Sequence, residues 1–103
     1  MFIRILLIIF FSLPSISMTV VDVRTEDEWK TGHIDGAIRI QWQDILQLPP
    51  KISKDEEIYL YCRSGNRSGK AAKILTDAGY INVINAGSIK QASKLLNKEI
   101  IIN

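Results

Sequence analysis

The chain has 103 residues, which is enough for one domain and too few for two, since independent domains usually hold roughly 100 to 150 residues. Its 13 basic and 11 acidic residues give a net charge of +2, without a basic stripe or a run of like charges. The composition therefore argues against a nucleic-acid or membrane-surface binder and favours small molecules or protein thiols as partners.

Residues 1–17 predict a signal peptide. Arg4 supplies a basic start, residues 5–11 form an apolar run, Pro14 breaks the helix, and Ser15 and Ser17 are small residues of the kind that signal peptidase requires. We expect cleavage after Ser17, which leaves 12 basic and 11 acidic residues, and an exported, periplasmic protein. The run is shorter than the roughly 20 apolar residues of a bilayer span, so we expect no stable membrane insertion after cleavage. An uncleaved N-terminal anchor and a buried first helix are the alternatives.

The following residues, 18–103, predict one domain in which strands and helices alternate. Residues 19–23 are β-rich and predict a strand, and residues 25–28 have the capping-box spacing of a helix start. Residues 32–36, which two glycines bracket, predict a turn. Residues 37–40 predict a second strand, and residues 42–48 a short helix that a Pro-Pro pair ends.

The second half repeats this alternation. Residues 57–61 predict a third strand, and residues 68–78 carry apolar side chains at helical spacing up to a closing glycine. A fourth strand at 80–84, a turn at 86–88 and a last helix at 89–96 follow, whereas the tail predicts no element. This order is typical of an α/β domain whose mainly parallel sheet is flanked by helices on both faces, with ligands beyond the carboxyl ends of the strands.

Cys62 is the only cysteine, and it directly follows the third predicted strand. Exported proteins usually pair their cysteines, so an unpaired one indicates a reactive thiol or an intermolecular partner. A single cysteine excludes a Cys-x-x-Cys redox pair, and with one histidine in the chain it argues against a zinc site. A buried, inert cysteine is the alternative.

The loop after Cys62 has the composition of an anion-binding nest. If it curls back, its backbone N–H groups and the N-terminus of the following helix surround the sulfur with positive potential. Such sites stabilise a thiolate, which is the nucleophilic form of cysteine. Two cations in the loop attract an anion to the same place, although a solvated helix face is the alternative for them. The candidate substrate-binding residues are Arg63, Ser64, Gly65, Asn66, Arg67 and Ser68.

This loop resembles the active-site loop of the rhodanese sulfurtransferases, which runs Cys, two variable residues, Gly, one variable residue, Arg, Ser. Three further segments resemble family signatures in the expected order: Asp22-Val23-Arg24 with Glu28-Trp29, Gly32-His33-Ile34-Asp35-Gly36-Ala37, and Ala86-Gly87. Ser88 departs from the family, because a second glycine often stands there. The chain starts directly at the Asp22-Val23-Arg24 strand, whereas longer members begin with an extra strand and helix. The short exported single-domain rhodaneses are therefore the most similar.

The resemblance implies the rhodanese fold and a thiosulfate sulfurtransferase that carries a persulfide on Cys62. The loop amides would hold the terminal sulfur, Arg67 would help to bind the anion, and cyanide or a thiol would accept the sulfur. Asp22 and Arg24 would form a structural charged pair that ties the first strand to the loop region, and His33 would pack and form hydrogen bonds. The resemblance implies no cofactor or metal, and we expect a monomer.

Two other functions are compatible with parts of this sequence. Cysteine phosphatases and arsenate reductases of related fold also use a cysteine and an arginine around an anion, but they place five residues between the two. Here four residues separate Cys62 from Arg67, and Tyr61 stands where phosphatases commonly have histidine. A non-enzymatic rhodanese-like binding module is the second alternative, although such modules often lack the cysteine.

Overall fold

The computed structural model describes residues 17–102. The predicted signal peptide, apart from Ser17, lies outside these residues. The chain forms six strands, three α-helices and one 3-10 helix in the described part: β1 (Met18–Asp22), α1 (Glu26–Lys30), β2 (His33–Ile34), β3 (Ile38–Arg39), the 3-10 helix (Trp42–Gln47), β4 (Glu57–Cys62), α2 (Asn66–Asp77), β5 (Val83–Ser88), α3 (Ile89–Leu96) and β6 (Ile100–Ile101).

The main sheet has four parallel strands in the order β3-β1-β4-β5, so β1 and β4 are central. Asp22 at the end of β1 lies opposite Tyr61 of β4, and Cys62 at the end of β4 lies opposite Ser88 of β5. β2 and β6 form a separate antiparallel pair. The carboxyl ends of the central strands therefore meet beside Cys62, as the alternation of elements predicts.

Alternating side chains of the sheet enter two separate cores, because successive residues of a strand point to opposite faces. One core lies under α2 and the 3-10 helix and contains Leu60, Cys62, Ala71 and Leu75. The opposite core contains Tyr61 with Ile34, Ala86 and Ala92, under β2 and α3. Helices thus cover both faces of the sheet, and the predicted fold class is confirmed.

The predicted position of the fourth strand is wrong. We expected residues 80–84 and a turn at 86–88, but β5 runs from Val83 to Ser88 and includes the expected turn. The pairing with β4 steps from Asn85 directly to Gly87, so Ala86 is the extra residue of a β-bulge. Gly87 has a left-handed backbone, with φ of 83°, which explains why a glycine stands at this position and why the sequence suggested a turn there.

Smaller differences concern the other boundaries. α2 begins at Asn66, before the predicted start, because the chain enters the helix directly after Gly65. The segment predicted as a turn contains the short strand β2, and the tail forms β6, which pairs with it. Neither strand has enough residues for an alternating pattern in the sequence.

Ser88, which departs from the family motif, has a clear local role. Its side chain accepts a hydrogen bond from the amide of Gln91 at 3.1 Å, and the Gln91 side chain accepts one from the amide of Ser88 at 2.9 Å. This capping box begins α3 immediately after β5. Across residues 17–102, none of the helices is long and apolar enough to cross a membrane.

Candidate active site

Cys62 lies at the point where β4 passes into α2. β4 ends at this residue and α2 begins at Asn66, so only residues 63–65 separate the central strand from a helix of 12 residues. The N-terminal amides of α2 therefore face the sulfur, and the partial positive charge of the helix end favours negative charge there.

The sulfur of Cys62 is enclosed by hydrogen-bonding groups and is 0% exposed. The amide of Gly65 donates to Sγ at 2.9 Å, and Oγ of Ser68 lies 3.4 Å from Sγ. Burial is the largest influence on the pKa of Cys62 and raises it. Hydrogen bonds donated to the thiolate by Ser68 and by the amides of Ser64 and Gly65 outweigh burial and hold the pKa of Cys62 below its ordinary value. This arrangement favours the thiolate, unlike that of an inert buried cysteine.

Gly65 has a backbone that only glycine adopts without strain. Its φ is 95°, and it precedes α2 without a side-chain cap. A Cβ at this position would lie 3.3 Å from Cα of Gly87, where the bulge of β5 approaches the loop. The glycine therefore permits both the turn that directs its amide to the sulfur and the contact with β5.

The two arginines of the loop occupy different environments. Arg63 is exposed, whereas Arg67 is partly buried and forms two hydrogen bonds to the carboxylate of Glu28, at 2.7 and 2.8 Å. These bonds raise the pKa of Arg67 and lower that of Glu28 to about 2. Arg67 thus lies beside the loop with its charge partly neutralised, and its role in binding an anion remains a prediction.

The remaining loop residues differ in their contacts. Ser64 and Asn66 are exposed, whereas Ser68 is buried, and its hydroxyl lies 2.6 Å from the side-chain oxygen of Asn85 in β5. Sequence reasoning missed both Asn85 and Glu28 as neighbours of the loop. The sequence singled out Glu28 through the capping box with Thr25 and through a family signature, and neither of these relates Glu28 to Arg67.

The predicted pair of Asp22 and Arg24 is present and buried. Arg24 donates to the carboxylate through Nε at 3.0 Å and through Nη2 at 2.7 Å. Nη2 also donates to the carbonyl of Gly32 at 2.6 Å. These hydrogen bonds join β1 to the segment before β2, and a role of the pair in supporting the Cys62 loop stays a prediction.

His33 is 3% exposed, and its ring stacks on Trp29, with the ring centroids 3.6 Å apart and the planes 4° from parallel. Nδ1 lies 3.4 Å from the carbonyl oxygen of Trp29. These contacts connect the start of β2 to the end of α1.

A family model described as a rhodanese-like domain matches residues 13–95. The chain belongs to this family. The match begins upstream of Met18, where we expect the mature chain to start, so that boundary remains a prediction.

This rhodanese-like domain is similar to curated sulfur-handling proteins. It is 34% identical over 83 residues to the thiosulfate sulfurtransferase PspE of Escherichia coli, an alignment that covers 78% of this chain and 80% of that protein. It is 33% identical over 69 residues to the putative sulfur carrier protein YrkF of Bacillus subtilis, covering 67% of this chain and 37% of that longer protein.

Solved structures have the same fold. A structure titled rhodanese with anions, from E. coli, superposes with a TM-score of 0.72 at 27% identity and covers 84% of this chain and 100% of that one. The human single-domain sulfurtransferase TSTD1 superposes with a TM-score of 0.65 at 26% identity and covers 80% of this chain and 83% of that one. The rhodanese-like domain described here thus belongs to a family of sulfurtransferases, and the assignment of Cys62 as its reactive residue stays a prediction.

Proposed function

We propose that this protein transfers a sulfane sulfur from thiosulfate, through a persulfide on Cys62, to cyanide or a thiol acceptor. The observation that supports the proposal is the hydrogen bond from the Gly65 amide to Sγ at 2.9 Å, at the N-terminus of α2. Donors aimed at this sulfur stabilise the negative charge that it bears before the attack.

The proposed reaction has two displacements. The Cys62 thiolate attacks the outer sulfur of thiosulfate, a new S–S bond forms, and the S–S bond of thiosulfate breaks so that sulfite leaves with the electron pair. Cyanide or an acceptor thiolate then attacks the terminal sulfur of the persulfide. Thiocyanate or the acceptor persulfide leaves, and Sγ takes back its electron pair. No external oxidant or reductant is needed.

In this scheme the loop of this chain would hold both sulfur atoms. A persulfide adds one atom to Sγ, and the loop amides that now face Sγ would hold the terminal sulfur. Cys62 is fully buried, so a donor would reach it only after the residues that cover its sulfur move aside. Arg63 and Arg67 would attract the anion to this opening.

The test compares two substrates. The purified protein should form thiocyanate from thiosulfate and cyanide, and its intact mass should increase by one sulfur after thiosulfate alone. Because Cys62 is the only cysteine, that mass increase locates the persulfide. Cys62→Ser should retain the fold and lose both signals. Faster hydrolysis of an aryl phosphate than turnover of thiosulfate would instead identify a phosphatase, and inactivity toward both would identify a binding module.

We also propose that the protein acts as a monomer outside the cytoplasm after cleavage behind Ser17. The small residues Ser15 and Ser17 after Pro14 support the cleavage and export in this proposal. N-terminal sequencing of the periplasmic protein should begin at Met18. An intact N-terminus recovered from the membrane fraction would instead support the anchor.

A further inference from the structure

Asn85 links the Cys62 loop, the start of α2 and the bulge of β5. Its Nδ2 donates to the carbonyl of Gly65 at 3.1 Å, and its Oδ1 accepts from the amide of Gly87 at 3.1 Å. A carbonyl only accepts and an amide N–H only donates, so these two backbone groups determine the orientation of the side-chain amide.

The same Oδ1 lies 2.6 Å from the hydroxyl oxygen of Ser68. Since Oδ1 has no proton to give, Ser68 must donate its single hydroxyl proton to Asn85. The hydroxyl oxygen of Ser68 then presents lone pairs toward Sγ of Cys62, which is 3.4 Å away. A lone pair of this oxygen can accept a hydrogen bond from the S–H group of the thiol, whereas it repels the negative charge of a thiolate.

The helix provides space for this amide. Gly69 lies inside α2, where glycine is unfavourable by roughly 0.5 to 1 kcal/mol relative to alanine. A Cβ at Gly69 would lie 3.2 Å from Nδ2 of Asn85, which is closer than ordinary van der Waals contact. The glycine thus allows Asn85 to approach the helix, although its own backbone angle does not require glycine.

We propose that Asn85 is a positioning residue for the reaction at Cys62: it accepts a hydrogen bond from the Ser68 hydroxyl while Cys62 is a thiol, and the hydroxyl turns to donate to the sulfur instead when the thiolate forms. The inference rests on the proposed role of Cys62 as the nucleophile. The hydroxyl of Ser68 rotates between two acceptors, Oδ1 of Asn85 and Sγ, and the thiol proton leaves to solvent.

The thiolate competes with Asn85 for the hydroxyl of Ser68, so it is less stable than it would be without Asn85. A weaker tendency to ionise has a chemical benefit, since the nucleophilicity of a thiolate falls as its pKa falls and the best attacking thiol ionises near the ambient pH. Amides alone would lower the pKa of Cys62 further. Asn85 opposes them and preserves the reactivity of the sulfur.

The other charged groups near the sulfur are unchanged by a substitution at Asn85. They are Arg63 in the loop, Arg67 on α2 with its partner Glu28 on α1, and Asp22 on β1 with its partner Arg24. β5, which carries Asn85, has no ionisable side chain. Substitution of Asn85 also removes the hydrogen bond to the Gly65 carbonyl, so only the part of the shift that disappears in the Ser68→Ala background reports the hydrogen bonds of Ser68.

The experiment titrates the thiolate of the full protein by its ultraviolet absorbance and subtracts the same curve of Cys62→Ser. Asn85→Leu keeps the branched shape and the number of side-chain heavy atoms but accepts no hydrogen bond, so the midpoint should fall by about one pH unit. Ser68→Ala should raise the midpoint, and the double variant should match Ser68→Ala. Asn82→Leu, a control that loses an exposed bond to the Asp55 carbonyl, should leave the midpoint unchanged.

An unchanged or raised midpoint in Asn85→Leu overturns the proposal, and so does a shift of equal size in the Ser68→Ala background. If Asn85→Leu does not fold, Asn85→Ala replaces it, since Asn85 is exposed and truncation leaves no buried cavity.

The plateau rate of persulfide formation at high pH should fall about threefold in Asn85→Leu. The titration needs no thiosulfate, so a protein that titrates as expected but forms no persulfide would contradict only the proposed function.

Discussion

Arg67 and Glu28 are joined by two parallel charge-assisted hydrogen bonds, Nη1 to Oε1 at 2.7 Å and Nη2 to Oε2 at 2.8 Å. The pair connects the start of α2, beside Cys62, to α1. It also occupies one of the two edges of the guanidinium that a bidentate anion could use, the edge formed by Nη1 and Nη2. The carboxylate therefore both positions Arg67 and competes with a substrate anion for it.

Glu28→Gln should lower KM for thiosulfate by about threefold, because the variant removes the negative charge that offsets the charge of Arg67. Glutamine also serves in a capping box, so the contact with Thr25 and the start of α1 are retained. Arg67→Gln is the matched variant and should raise KM. Steady-state kinetics at low salt measure both, and a higher KM in Glu28→Gln would show that Glu28 mainly orients Arg67.

The same pair should affect stability in acid. Arg67 lowers the folded-state pKa of Glu28 from 4.5 to about 2, so the pair stabilises the fold fully above pH 4.5 and loses this effect as the pH falls toward 2. Glu28→Gln should cost about 1 kcal/mol at neutral pH. The difference from wild type should shrink between pH 4.5 and 2, which urea unfolding at several pH values measures. A constant difference would contradict the ion-pair explanation.

Tyr61→Phe should destabilise the fold by about 1 to 3 kcal/mol. The Tyr61 hydroxyl accepts the amide of Ile34 at 3.0 Å, and both residues are 0% exposed, so the variant leaves a buried donor without its acceptor. Tyr59→Phe is the control, because that hydroxyl donates to the less buried Glu57, and it should change stability by less than about 0.5 kcal/mol. Urea unfolding measures the loss of unfolding free energy in each variant. Equal losses would show that the buried hydrogen bond between Tyr61 and Ile34 does not stabilise the fold.

The site could be predicted where its residues are neighbours in the sequence. The strand, loop and helix around Cys62 are contiguous, and glycine, helix periodicity and the family motif all indicate the same arrangement there. α2 begins two residues earlier than expected, because the backbone of Gly65 places Asn66 directly in the helix.

Contacts between distant residues could not be predicted in this way. Glu28 and Arg67 are 39 positions apart, and Ser68 and Asn85 are 17 apart, so no periodicity relates them. Gly87 suggested a turn because a bulge and a turn use glycine for the same backbone freedom. The pairing partner of β5 decides between them, and that partner is a property of the folded sheet.

The length of the loop between Cys62 and Arg67 should select sulfur over phosphate. The amide of Gly65 reaches Sγ because only residues 63–65 separate β4 from α2, and the Gly65 carbonyl is held in turn by the amide of Gly69 at 3.0 Å and by Asn85. A persulfide adds one atom to Sγ, whereas a phosphoryl group brings a tetrahedron of oxygens that needs a wider ring of donors and an arginine able to pair two of them.

Inserting one glycine after Gly65 should therefore reduce thiosulfate turnover at least about a hundredfold, since it moves the start of α2 away from the sulfur and displaces the amide donors. A glycine inserted after Pro50, in the exposed turn that precedes β4 at the other end of the strand, is the control and should leave turnover nearly unchanged. The widened loop should also bind phosphate or arsenate weakly, as slower alkylation of Cys62 in their presence would show. If turnover survives the insertion at Gly65, or if the unaltered protein hydrolyses aryl phosphates faster than it consumes thiosulfate, loop length does not select the substrate.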